Sequence, residues 1–262
     1  MTAKTTQQTA RAPLITDRGK LCRGSVALPA AVITRGTRGI GLALGQWFLA
    51  HGDRFAIQDI DLDTRARTAA LLNQPGQVIT AHCDVSDPLQ VNNAVSQVEA
   101  AFERISALVN NAGVAVFKSI GDTAFAEWRH VMSTHLDGAF LCSQACVPLM
   151  LKTGGASIVN IAPISGLRAS TLRVAYGTSK AAIIQLTRQQ AVELGNVGIR
   201  VNAIAPGPVD REMSKLVHSV AIRSDYCETI PLNRYGTTKE IALALGFLFS
   251  PAQAMRTAKC SP

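Results

Sequence analysis

Short apolar runs alternate with amphipathic stretches along most of this chain, and that alternation is what most restricts its fold. The runs are Ala30–Thr34, Phe55–Asp59, Val78–His82, 107–110, 156–162 and Ile199–Ile204, rich in Val, Ile and Ala. Strands covered on both faces have this composition. Helical patterns fill the gaps. One runs over 39–51 and stops at Gly52; another follows Asp87-Pro88, a cap with proline at the first helical position. A third spans 176–194 and ends near Gly195. Such βαβα order predicts an α/β fold: a doubly wound parallel sheet with right-handed crossovers and helices on both faces. Ligands of such sheets bind at the carboxyl ends of the strands, so chemistry is sought there.

With 262 residues, 47% of them hydrophobic, the chain suits one large domain, expected over 28–250. Residues 1–27 read as a disordered basic tail and 251–262 as an atypical C-terminal tail. The net charge of +8 is scattered rather than gathered into a stripe, which favours a solvated basic surface and an anionic cofactor over nucleic acid. No apolar run reaches membrane-spanning length, and the N-terminus lacks a secretory core, so no membrane is expected and a cytoplasmic location is. The six cysteines form no CxxC pair. Cys142 and Cys146 share a helix face and read as small buried groups, with no metal site expected.

The first strand runs into Thr34-Arg35-Gly36-Thr37-Arg38-Gly39-Ile40-Gly41, which opens a helix. A glycine-rich strand-to-helix turn lets backbone N–H groups approach a pyrophosphate, and the helix N-terminus adds partial positive charge. Asp59 ends the second strand, where a carboxylate accepts the hydroxyls of an adenosine ribose and repels a 2′-phosphate. It favours NAD(H) over NADP(H), although Arg38 offers a guanidinium to that phosphate.

Further motifs stand at later strand ends. They are Cys83-Asp84-Val85, Asn110-Asn111-Ala112-Gly113, Tyr176-Gly177-Thr178-Ser179-Lys180 and Asn202-Ala203-Ile204-Ala205-Pro206-Gly207. In this order they resemble the short-chain dehydrogenase/reductase family from about residue 28 to 250, near its 3-oxoacyl-carrier-protein reductase and polyol or steroid dehydrogenase members. The resemblance implies a Rossmann-type fold and hydride transfer between a nicotinamide and a small carbonyl or secondary alcohol. It implies that Asp84 and Val85 touch the adenine and that Asn110 to Gly113 line the adenosine. Tyr176 becomes the general acid or base, Lys180 the holder of the nicotinamide ribose, and Pro206, Gly207 and Val209 the wall of the nicotinamide pocket. It also implies a homodimer or homotetramer packed through the 176–194 helix, and a substrate lid over 209–229. The residues agree on their own terms: Tyr176 and Lys180 are four apart on one helix face. A free tyrosine titrates near pH ~10, and a nearby ammonium favours its ionised form.

Several positions depart from the family pattern. Arg35 stands where the first turn glycine is expected. Three outcomes are open: it obstructs the pyrophosphate or strains the loop, Gly36 relaxes the loop by one residue, or Arg35 swings out to pair with a phosphate. Pro163, 13 residues before Tyr176, replaces the catalytic serine and has no hydroxyl to polarise a carbonyl. Ser165 is a nearby but poorly placed substitute. His135 replaces a helical asparagine of the proton relay; histidine also relays protons, or sits as a bonded core residue. Arg211 replaces a threonine that holds the nicotinamide amide. Nothing after Ala252 reads as a buried strand, so the last family strand is expected to be missing. Three readings stay open: an active though impaired oxidoreductase, a non-catalytic nucleotide-binding or partner subunit, and a decayed enzyme copy.

Overall fold

The computed structural model describes residues 30–250 and 260–261, so the expected tail over 1–27 and most of 251–262 lie outside the described residues. Six strands fall where the apolar runs lie: β1 (Ala30–Thr34), β2 (Phe55–Asp59), β3 (Val78–His82), β4 (Ile105–Asn110), β5 (Ala156–Ile161) and β6 (Ile199–Ile204). All pair in parallel, in the order β3-β2-β1-β4-β5-β6. Between them run α1 (Gly39–Ala50), α2 (Leu62–Leu72), α3 (Pro88–Phe102), α4 (Phe125–Met132), α5 (Gly138–Leu151) and α6 (Val174–Leu194). A π turn over Ser133–Asp137 joins α4 to α5. After β6 come the short pair β7 (Val209–Asp210) and β8 (Gly236–Thr237), enclosing α7 (Glu212–Val217) and α8 (Val220–Thr229), then α9 (Thr238–Phe249).

One expectation is corrected. A two-residue strand, β9 (Cys260–Ser261), pairs in parallel with Ala203 and Ile204 of β6, so the seventh strand is present in short form. Backbone groups alone make that pairing, which is why a segment without an apolar run escaped a reading based on side-chain pattern.

Period-2 alternation along the strands feeds two cores. Val32, Leu108, Ile158 and Val201 face Val98, Phe102, Leu149 and Met150 of α3 and α5. Ile33, Val109, Val159 and Ile204 face Leu44 and Phe48 of α1 and Leu245 and Leu248 of α9. Both faces are apolar, as covered parallel sheets require. Cys83, Cys142 and Cys146 lie in the first core, and burial pushes the Cys83 and Cys146 thiols up to about 12. Thiols held protonated in this way are packing groups, not nucleophiles.

Caps fix the helices locally. The Asp87 carboxylate accepts from the N–H groups of Leu89 and Gln90 ahead of α3, with Pro88 in the first turn. Thr237 and Glu240 make a reciprocal capping box for α9. α1 carries no side-chain cap, so its first N–H groups stay available to a ligand.

Candidate active site

The chain passes outward from β1 in one direction to β2 and β3, and in the other to β4, β5 and β6. The crevice at the carboxyl ends of β1 and β4 is therefore the topological switch point, where such sheets bind ligands. Hydrogen bonds hold its two sides together. The Thr34 hydroxyl accepts from the N–H groups of Asn111 and Ala112, both at 2.9 Å, and donates to the Val109 carbonyl. The Asn111 amide donates to the carbonyls of Thr34 and Arg35. Asn110 turns inward instead, donating to Asn160 Oδ1 at 2.8 Å and to the Ser143 hydroxyl, and so ties β4 to β5 and α5. Gly41 keeps the turn tight: a Cβ there would stand 2.5 Å from the Arg35 carbonyl.

Arg35 has φ +50, the left-handed backbone expected of the glycine it replaces. Its guanidinium crosses the crevice and donates to the Gly113 carbonyl. Burial first, then the charges of Arg38 and Arg211, lower its pKa, while Asp59 and Tyr176 oppose the shift. Arg35 thus sits between the two ends of the site.

On the β2 side, Asp59 is buried at the tip of the strand. Its carboxylate accepts from the Thr37 hydroxyl, the Thr37 N–H and the Asp61 N–H. A carboxylate has about four acceptor positions, so about one stays open to a further donor. Arg38 pairs with Asp61 at 3.1 Å, and its buried Nε has no partner among the described residues. Asp84 accepts from the N–H and hydroxyl of Ser86, while Val85 packs against Gly138.

On the β5–β6 side, the first turns of α6 bring Tyr176 and Lys180 to the floor of the crevice, both buried. Lys180 Nζ donates to the Ile161 carbonyl at 3.3 Å and lies 5.8 Å from the Tyr176 ring centre. Burial and the charges of Arg211 and Arg35 bring its pKa down to about 7. Burial pushes Tyr176 upward, opposed by Arg211, which bonds its oxygen, and by Arg173 and Arg35. Arginines thus stand near the phenol in addition to Lys180, the cation the sequence pointed to.

His135 sits in the π turn with both ring nitrogens engaged. Nε2 accepts from the Val114 N–H at 3.0 Å, which leaves Nδ1 to donate to the Ser179 hydroxyl at 2.7 Å. That hydroxyl donates in turn to the Tyr176 carbonyl. Burial and Lys180 hold the imidazole well below its ordinary pKa, so it is neutral. Its bonds to Val114 and Ser179 tie the segment after β4 to the first turns of α6.

A cavity beside Tyr176 is lined by Pro163, Ser165, Arg173, Pro206, Val209 and Arg211. It brings together the wall residues expected after β6, the serine substitute and the proline that replaces the catalytic serine. Ser165 lies in a 3₁₀ turn over Ile164–Gly166, and Arg173 reaches its hydroxyl at 3.5 Å. Sequence reasoning missed Arg173. It stacks over Phe117 at 4.4 Å and stands 5.9 Å from the Tyr176 ring centre. Its place three residues before Tyr176, at the N-cap of α6, was the available signal. No group of His, Cys, Asp and Glu among the described residues is suited to hold a metal ion.

Residues 35–260 match the family model described as enoyl-(acyl carrier protein) reductase. The chain belongs to the short-chain dehydrogenase/reductase family. It is 34% identical over 231 residues to 2-(S)-hydroxypropyl-CoM dehydrogenase 3 of Xanthobacter autotrophicus, a match covering 86% of this chain and 91% of that one. It is 32% identical to the NAD-dependent glycerol dehydrogenase of Listeria innocua, covering 87% and 89%. Its fold is similar to a solved short-chain dehydrogenase/reductase, a glucose/ribitol dehydrogenase from Brucella melitensis, with a TM-score of 0.84, 28% identity and 89% and 94% coverage. Short-chain dehydrogenases/reductases are NAD(P)(H)-dependent oxidoreductases acting on small alcohols and carbonyls, and this chain carries their Rossmann fold. The described residues contain no helix long and apolar enough to cross a membrane. The donor set fits a dinucleotide. The uncapped α1 N-terminus, and the buried Arg38 Nε that has no hydrogen-bond partner among the described residues, are donors suited to an anion, and Asp59 retains an acceptor position.

Proposed function

We propose that this short-chain dehydrogenase/reductase oxidises secondary alcohols, or reduces the matching ketones, with NAD(H) and with Tyr176 as the proton-handling group. The observation that carries this reading is Tyr176 itself, buried at the cavity floor with Arg211 beside its oxygen. A bound nicotinamide supplies or accepts the hydride. In the oxidative direction the Tyr176 phenolate takes the hydroxyl proton as the carbinol C–H bond yields its hydride, leaving a ketone. Burial raises the phenol above its ordinary value, and Arg211, Arg173 and Arg35 offset part of that rise. Arg211 also offers N–H donors to the substrate oxygen, the task Pro163 cannot perform. Lys180 and Asn111 to Gly113 line the cofactor side, with Thr34, Gly36, Gly39, Ile40 and Gly41 at the phosphate turn.

Two features support NAD(H) over NADP(H): Asp59 at the ribose position, and the pairing of Arg38 with Asp61, which withdraws the cation that a 2′-phosphate needs. The relative from Listeria innocua, named as NAD-dependent, supports the same preference. Arg173 and Arg211 line the cavity and no carboxylate among the described residues does, so substrates bearing an acidic group suit it. We place the protein in the cytoplasm as a homodimer or homotetramer, in keeping with its buried thiols and with the exposed Val192 on α6.

The test is a fluorescence titration with NADH and NADPH, followed by turnover on a panel of secondary alcohols and ketones. Tighter binding of NADH, and turnover that Tyr176→Phe reduces by about 10²–10⁴-fold, is expected. Binding without turnover would sustain the non-catalytic reading, which the crossing of the crevice by Arg35 and the absence of a hydroxyl at Pro163 favour.

A further inference from the structure

Arg35 is a long cation in the place of a glycine, and the structure shows where it goes. Its guanidinium lies at the switch-point crevice, bonded to the Gly113 carbonyl. Arg38 and Arg211 both repel it, and no carboxylate among the described residues forms an ion pair with it. The uncapped N-terminus of α1 opens on the same crevice. Arg35, Arg211 and the α1 N-terminus therefore stand at one crevice, where Asp61 pairs with Arg38 and Asp59 is already bonded to Thr37 and to the Asp61 N–H. Like charges so arranged in a partly buried site call for an anion between them.

We infer that Arg35 is a phosphate clamp: its guanidinium leaves the Gly113 carbonyl on dinucleotide binding and pairs with the pyrophosphate. This inference rests on the dinucleotide-binding part of the proposed function and goes beyond it. A glycine at this position would leave the pyrophosphate to backbone N–H groups, whereas this chain adds a side chain able to form two parallel bonds to phosphate oxygens. The exchange is favourable because a neutral carbonyl partner gives way to a charged one, and because the repulsion from Arg38 and Arg211 is relieved.

The experiment compares wild-type protein with Arg35→Gly and Arg35→Lys. NADH is titrated by its fluorescence, and ADP and adenosine are measured by calorimetry. Glycine suits the φ of +50, so Arg35→Gly should melt at or above wild type, which separates a binding defect from a folding defect. The clamp predicts that Arg35→Gly loses about tenfold or more in affinity for NADH and ADP, that adenosine is unchanged within about twofold, and that Arg35→Lys falls between. Equal or tighter binding of NADH and ADP by Arg35→Gly overturns the inference and makes Arg35 an obstruction. Absence of NADH binding by the wild-type protein overturns it as well. Arginine-dependent NADH binding with no turnover on any alcohol or ketone would leave the clamp standing while removing the catalytic reading.

Discussion

At the residue scale, Pro163 and Lys180 carry the sharpest consequences. Pro163 lines the cavity beside Tyr176 and offers no donor to the substrate oxygen. Pro163→Ser restores a hydroxyl there, and a single such donor is worth about 10²–10³ in rate. With Arg211 already supplying donors, the gain in kcat should fall at or below the lower end of that range. Steady-state kinetics on the best alcohol from the panel measures it, and no gain at all would mean that Arg211 fully serves the oxygen. Lys180 is buried with its pKa near 7, against an ordinary 10.5. Between those values the unfolded chain binds more protons than the folded one, so stability rises with pH across that window. The contribution is present above 10.5 and is lost as pH falls toward 7. Urea unfolding of wild type and Lys180→Met at both ends of the window tests this: wild type should gain relative to the variant as pH rises. A flat difference would show that the ammonium is solvated or paired.

At the element scale, α1 ties the phosphate turn to the rest of the molecule. It packs along α9, and the contact is closest where Trp47 lies on Gly246. A Cβ on Gly246 would stand 2.4 Å from the indole. Gly246→Ala must push the ring or the helix aside, and overpacking of this kind costs about 1–3 kcal/mol. The higher helix propensity of alanine offsets up to about 1 kcal/mol of that. Thermal melting should show a net loss, and because α1 presents its N-terminus to the crevice, NADH affinity should weaken as well. An unchanged melt would mean that the indole has room to rotate. The π turn at Ser133–Asp137 is a second positioning device. It sets His135 so that a backbone N–H and the Ser179 hydroxyl occupy both ring nitrogens, which steadies α6 beneath Tyr176.

At the scale of the whole molecule, the sheet ends at β3 on one side and at β9 on the other. β9 is only two residues long, yet it covers part of the β6 edge. An uncovered edge in a parallel sheet invites pairing with other chains. Deleting the chain from Cys260 onward should therefore lower the melting temperature and raise concentration-dependent light scattering. No change in either would show that β6 is protected by other means.

The sequence by itself determined the α/β class, the positions of the six main strands within about two residues and the family. These follow from local signals: apolar runs, caps, and motifs that recur at strand ends. It also placed Asp59, Tyr176, Lys180 and Pro163 at one end of the sheet, because successive strands in a doubly wound fold deliver their carboxyl ends together. Only the tertiary structure decided what the displaced residues do. Whether Arg35 crosses the crevice, whether His135 has a free nitrogen, and which cations act on Tyr176 depend on side chains that meet from distant segments. β9 belongs with them, since its pairing is made by backbone groups that leave no trace in side-chain pattern. Spacing along a chain fixes neighbours within an element, whereas charge and burial at a site are set by elements far apart in sequence.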